Sequence, residues 1–564
     1  MKQILFPESK SIPDVSVSMD AGLDPHSQRT ERTDADPDIY DEEIKPLQKW
    51  SMTLLLVTYF WILALLQWIS VQEQASNTLA TYIISIFGNL SSSPALSQAA
   101  YIVSGVIDIP LSKIIDIWGL DIGFLIMTFL NTLGLLMVAV CKNIATYAAA
   151  KILYQVGFHG ITYVITVFIA ELTDKKHRGI VLSITTLHSI AGSFAGAAYA
   201  QRFETDSTFR WAFAVLLIVG FVLCLPVWLV IRYHRKKAWK QVSSSERPPP
   251  NRRPWFDAVK GFCVQIDMIG VILFCSGLTL FFIPWTLAAK QENGWTSASI
   301  LVMIVLGFFL LVALTIWERV FTPKSFLPFH CLRNRNILGT CILSFAMSLS
   351  NYCWDPYFRA YLQIVHAQSI ANSGYIANIH WDGIAVGSIL AGLLLLYTPH
   401  YKPMSLAALV LSALGSGLMI KFRHSYTNIG YVVMCQVFMA IGAGVLNITE
   451  YIALMDSKAD QSTAFLFALS VMSSKIGIVI GQSISGGIWT NLLPGELYRR
   501  LPEDLKPKAK RFADSIYAVL HYHVGSVERE AIDEAYSAIQ RLLTISGTSM
   551  LAFAFVGVFI WRRS

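Results

Sequence analysis

Fourteen separate apolar stretches, each about as long as a bilayer is thick, occupy most of this 564-residue chain. A helix that crosses the hydrocarbon core needs about 20 mostly apolar residues, and its backbone polar groups must pair within the segment because no water is there to pair with them. The stretches fall at 51–71, 96–114, 122–141, 147–170, 180–200, 212–231, 264–288, 298–317, 336–353, 373–396, 404–421, 429–453, 462–489 and 544–561. They predict an all-α, multi-pass membrane protein with the lipid bilayer as its main surroundings. Apolar residues make up 54% and charged residues 14% of the chain, which fits one membrane-embedded unit better than several soluble domains.

Charge sets the expected topology. Nine lysines and arginines lie between Arg232 and Phe262 against two acids, whereas residues 72–95 hold no lysine or arginine. The positive-inside rule puts the 232–262 connection in the cytoplasm, and both chain ends with it. The net charge of +7 is therefore a topology signal, and no nucleic-acid partner is expected. Residues 1–49 are polar, with acids at Asp34 to Asp38 and Asp41 to Glu43, and lack the basic start and short apolar core of a cleavable signal. They read as a disordered acidic tail. Asn89-Leu90-Ser91 would then lie outside, where a glycosylation sequon can be used, whereas Asn447-Ile448-Thr449 falls within an apolar stretch. The eight cysteines sit in or beside apolar stretches and form no disulfide framework.

The last external loop, 492–543, is too long for a turn. Phe512, Ile516 and Leu520, then Ile532, Tyr536, Ile539 and Leu543, recur at helical spacing and predict two amphipathic helices over the outer mouth. Such a cap is either structural or a gate that touches substrate.

No G-x-x-x-x-G-K-[ST] phosphate loop is present, and no soluble segment is large enough for a nucleotide-hydrolysing domain. That leaves secondary transport as the leading class, with no enzyme activity and no cofactor expected. Charges within a bilayer are costly, so ionisable residues there are functional candidates by default. They are Asp108, Lys151, Asp382, Glu450 and Lys475, with His159, His188 and His380. A carboxylate held out of water can exchange protons near neutral pH, which is what a proton symporter needs. Asp108, Asp382, Glu450 and Lys475 are the proton-coupling candidates, although Glu450 and Lys475 could simply neutralise each other. Gly192/Gly196, Gly383/Gly387 and Gly477/Gly481 permit close helix contact, and Pro110 and Pro284 interrupt helical pairing. His521 and His523, beside Tyr517 and Tyr522, are the only noticeable histidine cluster, and no set of side chains reads as a closed metal site.

The segments FLPFHCLRNRN (326–336), NYCWDPYFRAYLQIVHAQSIANSGYI (351–376), TPHYKP (398–403), GLMIKFR (417–423) and GQSISGGIWTNLLP (481–494) resemble the fungal siderophore–iron transporter family of the major facilitator superfamily. Ile484 to Thr490 is the most specific part, and Gly294-Trp295 belongs to the same pattern. The resemblance implies a major facilitator fold with 14 transmembrane helices arranged 6+2+6. The units are an N-terminal six-helix bundle at 50–231, a basic loop at 232–263, two extra helices at 264–317, and a C-terminal bundle at 318–561. It also implies proton-coupled uptake of ferric siderophores, with iron arriving inside its chelator, by a monomer in the plasma membrane or in an internal vesicle or vacuole membrane. Trp354, Tyr357, Phe358, Arg359 and Tyr361, with Tyr517, His521 and His523, are the substrate-binding candidates, unless the aromatics form an interfacial belt. The turn Lys113 to Asp121 departs from the superfamily's D-x-x-G-R-R/K pattern, with Leu120 and Asp121 where basic residues are expected. A same-fold carrier of haem or glutathione, an exporter of a drug or toxic metabolite, or a non-transporting receptor are the rival readings.

Overall fold

A computed structural model describes residues 52–86, 93–173, 181, 184–185, 188–206, 209–241, 261, 264, 267–288, 291, 294–321, 331–398, 400–425, 427–457, 463–514 and 516–562. The acidic tail 1–49, most of the basic connection and Asn89 lie outside the described residues. Fourteen helices of 15 or more residues run through the described chain. They are α1 (Met52–Ile86), α2 (Ser93–Trp118), α3 (Leu120–Val140), α4 (Ile144–Leu172), α5 (His188–Asp206), α6 (Phe209–Gln241), α7 (Met268–Phe282), α8 (Ala298–Ile316), α9 (Arg335–Tyr352), α10 (Ile370–Tyr397), α11 (Tyr401–Phe422), α12 (Ile429–Met455), α13 (Thr463–Arg500) and α14 (Val527–Ile560).

Among the described residues eleven helices are long and apolar enough to cross a membrane, and α7 is a shorter apolar helix. The expected count of fourteen spans is thus met only in part, because α2 and α5 are not among the eleven. Large apolar side chains such as Phe60, Phe129, Trp211, Phe309 and Phe553 are more than half exposed, as residues that face lipid would be.

Local signals set the helix ends. Asn143 caps α4 by accepting from Thr146 N at 2.8 Å, and Ser369 and Ser526 cap α10 and α14 in the same way. Pro284 ends α7 and starts a four-residue helix, Pro284–Leu287. Gly119, at φ 90°, makes the break between α2 and α3, and a Cβ there would stand 2.8 Å from Arg235 Nε.

Helices α1 to α6 pack on one another through pairs such as α1 with α5 and α3 with α4, and α9 to α14 do likewise, as in α9 with α13 and α10 with α12. Helices α2 and α13 cross between the two sets, as do α5 and α10, and α7 lies against both α2 and α13. Glycine permits the tight crossings: a Cβ at Gly192 would meet Ser70 Oγ at 2.0 Å, one at Gly387 Ile441 O at 2.5 Å, and one at Gly477 Phe345 O at 2.3 Å. All three predicted glycine pairs serve helix packing.

Two boundaries differ from expectation. Residues 72–86, read as a loop, continue α1. Gln72 is buried and donates to Asn131 Oδ1 at 3.0 Å, so the polar run Gln72-Glu73-Gln74 belongs to an interior helix face and not to a solvated turn. Likewise α13 passes through Pro494 to Arg500, and the second predicted amphipathic helix is the start of α14. Only 501–526 connects them, with short helices at Ala509–Asp514 and Ile516–Leu520; Phe512 is buried but Leu520 is exposed. This connection caps the end of the molecule opposite the Asp121–Arg235 ion pair, here called the distal end.

Candidate transport site

At mid-length the crossing helices bring charged groups together in the interior. Lys475 of α13 packs directly on Gly105 of α2, whose added Cβ would stand 2.4 Å from Lys475 Cβ. Its ammonium reaches His159 Nε2 of α4 at 3.1 Å and lies 4.9 Å from the centre of the Tyr101 ring. An ammonium can only donate, so His159 Nε2 accepts from it and the imidazole is neutral; Gln155 Nε2 lies 2.8 Å from the same nitrogen. Asp108 is 1% exposed, and its Oδ1 has no hydrogen-bond partner among the described residues. Both Asp108 and Glu73 of α1 interact electrostatically with Lys475. Glu73 was missed in the sequence because it sits in the segment read as a loop.

The other two carboxylate candidates stand apart from this centre. Glu450 of α12 accepts from Ser344 Oγ of α9 at 2.8 Å, and Ser344 also lies 2.8 Å from Ser470 of α13. It is therefore not paired with Lys475, and mutual neutralisation of the two does not occur. Asp382 of α10 accepts from Ser193 Oγ of α5 at 2.8 Å, a second polar tie between the halves, while Gln98 of α2 donates to Ser483 of α13 at 3.2 Å. Lys151 reaches Ser97 Oγ at 3.2 Å, and His188 bonds the Thr185 carbonyl. His380 is buried, edge-on to Trp354 and Trp381.

Aromatic rings continue from the charged centre toward α9 and α10. Tyr101 meets Tyr352 at 5.9 Å, and Tyr352 meets Trp381 at 6.0 Å. The expected binding aromatics divide into two groups. Trp354, Phe358 and Tyr361 are at most 1% exposed and surround the fully buried Arg423, whose guanidinium lies 4.7, 4.7 and 5.8 Å from their rings. Arg423 also donates to Gln540 of α14. Tyr357 is only half-buried and stacks on Trp489, with centroids 4.0 Å apart and planes within 1°. Arg359 is exposed and donates to Asn378 at 3.1 Å. His521 and His523 are exposed, and Tyr517 belongs to the short helix Ile516–Leu520. Among the described residues no group of three or more histidines, cysteines and carboxylates could hold a metal ion.

The cap is tied down from within. Arg529, 1% exposed, donates to the carbonyls of Val519 and Ile364 and to Asp533 Oδ1, joining the connection, the short helix Phe358–Ile364 and α14. At the opposite end Asp121 accepts from Arg235 at 2.6 Å. Where the expected basic residues of the 113–121 turn are absent, the ion pair is supplied from α6, 114 residues away.

Comparison with known proteins agrees with this architecture. The profile of the Major Facilitator Superfamily matches residues 51–367. An "MFS siderochrome iron transporter 1" of Ajellomyces capsulatus is 36% identical over 518 residues, which span 91% of this chain and 87% of that one. An "MFS siderochrome iron transporter D" of Aspergillus fumigatus is 34% identical over 99% of this chain and 92% of its own. "Siderophore iron transporter 1" of Schizosaccharomyces pombe is 32% identical over 87% of this chain and 79% of its own. A bacterial homologue of the human lysosomal transporter Spinster, solved in an inward-facing and occupied conformation, superposes with a TM-score of 0.50 at 14% identity, covering 90% of this chain and 97% of that one. At that identity only the fold is shared. The chain belongs to the Major Facilitator Superfamily, a family of multi-pass membrane transporters and not of enzymes, and is homologous over most of its length to fungal siderophore iron transporters.

Proposed function

We propose that this protein carries intact ferric siderophores inward across the plasma membrane, driven by protons moving down their gradient. The observation that carries the cargo is the relationship to siderochrome and siderophore iron transporters over about nine tenths of the chain. The chelator already fills the coordination shell of iron, so the carrier needs an aromatic and hydrogen-bonding path and no metal ligands of its own. Tyr101, Tyr352, Trp381 and the Tyr357–Trp489 stack supply such a path from the distal end, which we take as the outside.

In this reading the chain works as a monomer of fourteen spans, six in 50–231, two in 264–317 and six in 318–561. The mutual packing of α1 to α6 and of α9 to α14, with α7 and α8 paired beside them, supports that division. Alternating access then works by rocking one six-helix unit on the other. Asp108 with Lys475, at the crossing of α2 and α13, is the coupling centre; Asp382 at the α5 and α10 contact and Glu450 among the serines of α9 and α13 are further proton carriers. Tyr357, Arg359, Tyr517, His521 and His523 form the outer contacts for cargo, and Asn89 carries a glycan.

Uptake of iron-55 bound to a panel of siderophores and to haem, in cells that lack other iron-chelate importers, tests the proposal. Protonophore-sensitive accumulation of at least one ferric siderophore is the expected result. Accumulation of none, with the protein present at the cell surface, overturns it.

A further inference from the structure

Lys475 is a buried cation whose direct contacts, among the described residues, are uncharged. Among the described residues no carboxylate comes within 4.0 Å of its ammonium, which is held by a neutral imidazole and the face of an aromatic ring. Its side chain enters the seam between the two halves of the chain, opposite α2 and α4. These partners do not replace the hydration an ammonium gives up on burial, so an anion that reaches this point gains a strong, charge-assisted contact.

We propose that Lys475, with His159 and the Tyr101 ring, forms the subsite for an ionised group on the cargo, and that the preferred cargo is a chelate of net negative charge bearing a free carboxylate. The inference rests on the siderophore reading and deepens it. Charge arithmetic ties the subsite to protons. The charges acting on Lys475 are those of Asp108 and Glu73, and with both ionised the three groups carry −1 in all. Lys151, on the same helix as His159, is held by Ser97 and does not enter that sum. A further anion can therefore join Lys475 only when a proton has been placed on one of the two carboxylates. Cargo anion and proton then enter together, and each raises the affinity for the other.

The test uses the full-length protein and one chelator scaffold in two charge states. The probes are iron-55 complexes of a linear trihydroxamate whose terminal amine is acetylated, giving a neutral complex, or succinylated, giving a complex of charge −1. Wild type is expected to prefer the succinylated form in kcat/KM. In Lys475→Gln that preference ratio falls about tenfold, the size of one lost hydrogen bond to a charged group, and Lys475→Arg keeps it. Uptake of the anionic form should also depend more steeply on external pH. Where Lys475→Gln abolishes transport, quenching of tryptophan fluorescence on binding to the purified protein reads the same ratio. An unchanged ratio in Lys475→Gln, or no wild-type preference, overturns the subsite and leaves ferric siderophore uptake standing. Failure of wild type to take up either form or any other ferric siderophore overturns both.

Discussion

Tyr361→Ala separates a packing role from a binding role at the distal end. The ring is wholly buried, 6.2 Å from Phe358 and 5.8 Å from the Arg423 guanidinium, and its hydroxyl lies 3.2 Å from His366 Nε2. Truncating an enclosed aromatic to alanine costs about 3–5 kcal/mol through lost burial and the cavity left behind. Tyr361→Phe, which removes only the hydroxyl, costs about 1 kcal/mol. Tyr357→Ala loses a half-buried ring and a stack worth about 0.5–1.5 kcal/mol beyond its area. The detergent-solubilised protein should therefore unfold about 5 °C or more below wild type with Tyr361→Ala, and shift less with the other two. Apparent KM for ferric siderophore, measured at equal surface expression, should rise with Tyr357→Ala alone. If Tyr361→Ala melts within about 1 °C of wild type and raises KM several-fold, the ring touches cargo and the packing argument is wrong.

Glu450→Gln should lower proton-driven uptake more than equilibrium binding of the chelate, because it removes a titratable group while keeping the contact to Ser344; normal uptake with an unchanged pH profile would refute that role. Gly387→Leu should cost at least about 1–3 kcal/mol and reduce folded yield, since the new side chain meets the α12 backbone at Ile441 O, whereas Gly417→Ala meets nothing within 4 Å and should be neutral or slightly stabilising. Equal yields of the two variants would argue against close α10 and α12 packing. Arg235→Gln should lower thermal stability because it leaves the buried Asp121 carboxylate without its cation, and Asp121→Asn in the same background should restore part of the loss. No recovery in the double variant would show that the two residues act independently.

The helical membrane architecture was legible because lipid demands long apolar runs, and each of the fourteen stretches overlaps one of the long helices. Hydropathy failed where interior faces are polar. Gln72, Glu73 and Gln74 read as a loop although they are the inward face of α1, and the polar start of α14 read as an independent surface helix. The costly charges Asp108, Glu450 and Lys475 were visible one by one, but their partners were not: His159 lies 316 residues from Lys475, and Ser344 lies 106 from Glu450. Nor did the aromatic run from Trp354 to Tyr361 announce what it packs on. The explanation is Arg423, which sits in a quoted segment, GLMIKFR, but reads there as an ordinary basic helix end.

Helix α13 has 38 residues, and at about 1.5 Å each it is about 57 Å long, nearly twice the hydrocarbon thickness. One continuous rod thus holds Lys475 in its lower half, Trp489 above it and Arg500, paired with Glu534 of α14, at its tip. Moving as a rigid body, it would act as a lever with the charged seam near its fulcrum. A tilt of only about 5° about Lys475 sweeps Arg500, 25 residues on, through about 3 Å, roughly the width of a water molecule. Under the proposed function, occupancy at the centre and the shape of the mouth would be two readings of one mechanical coordinate.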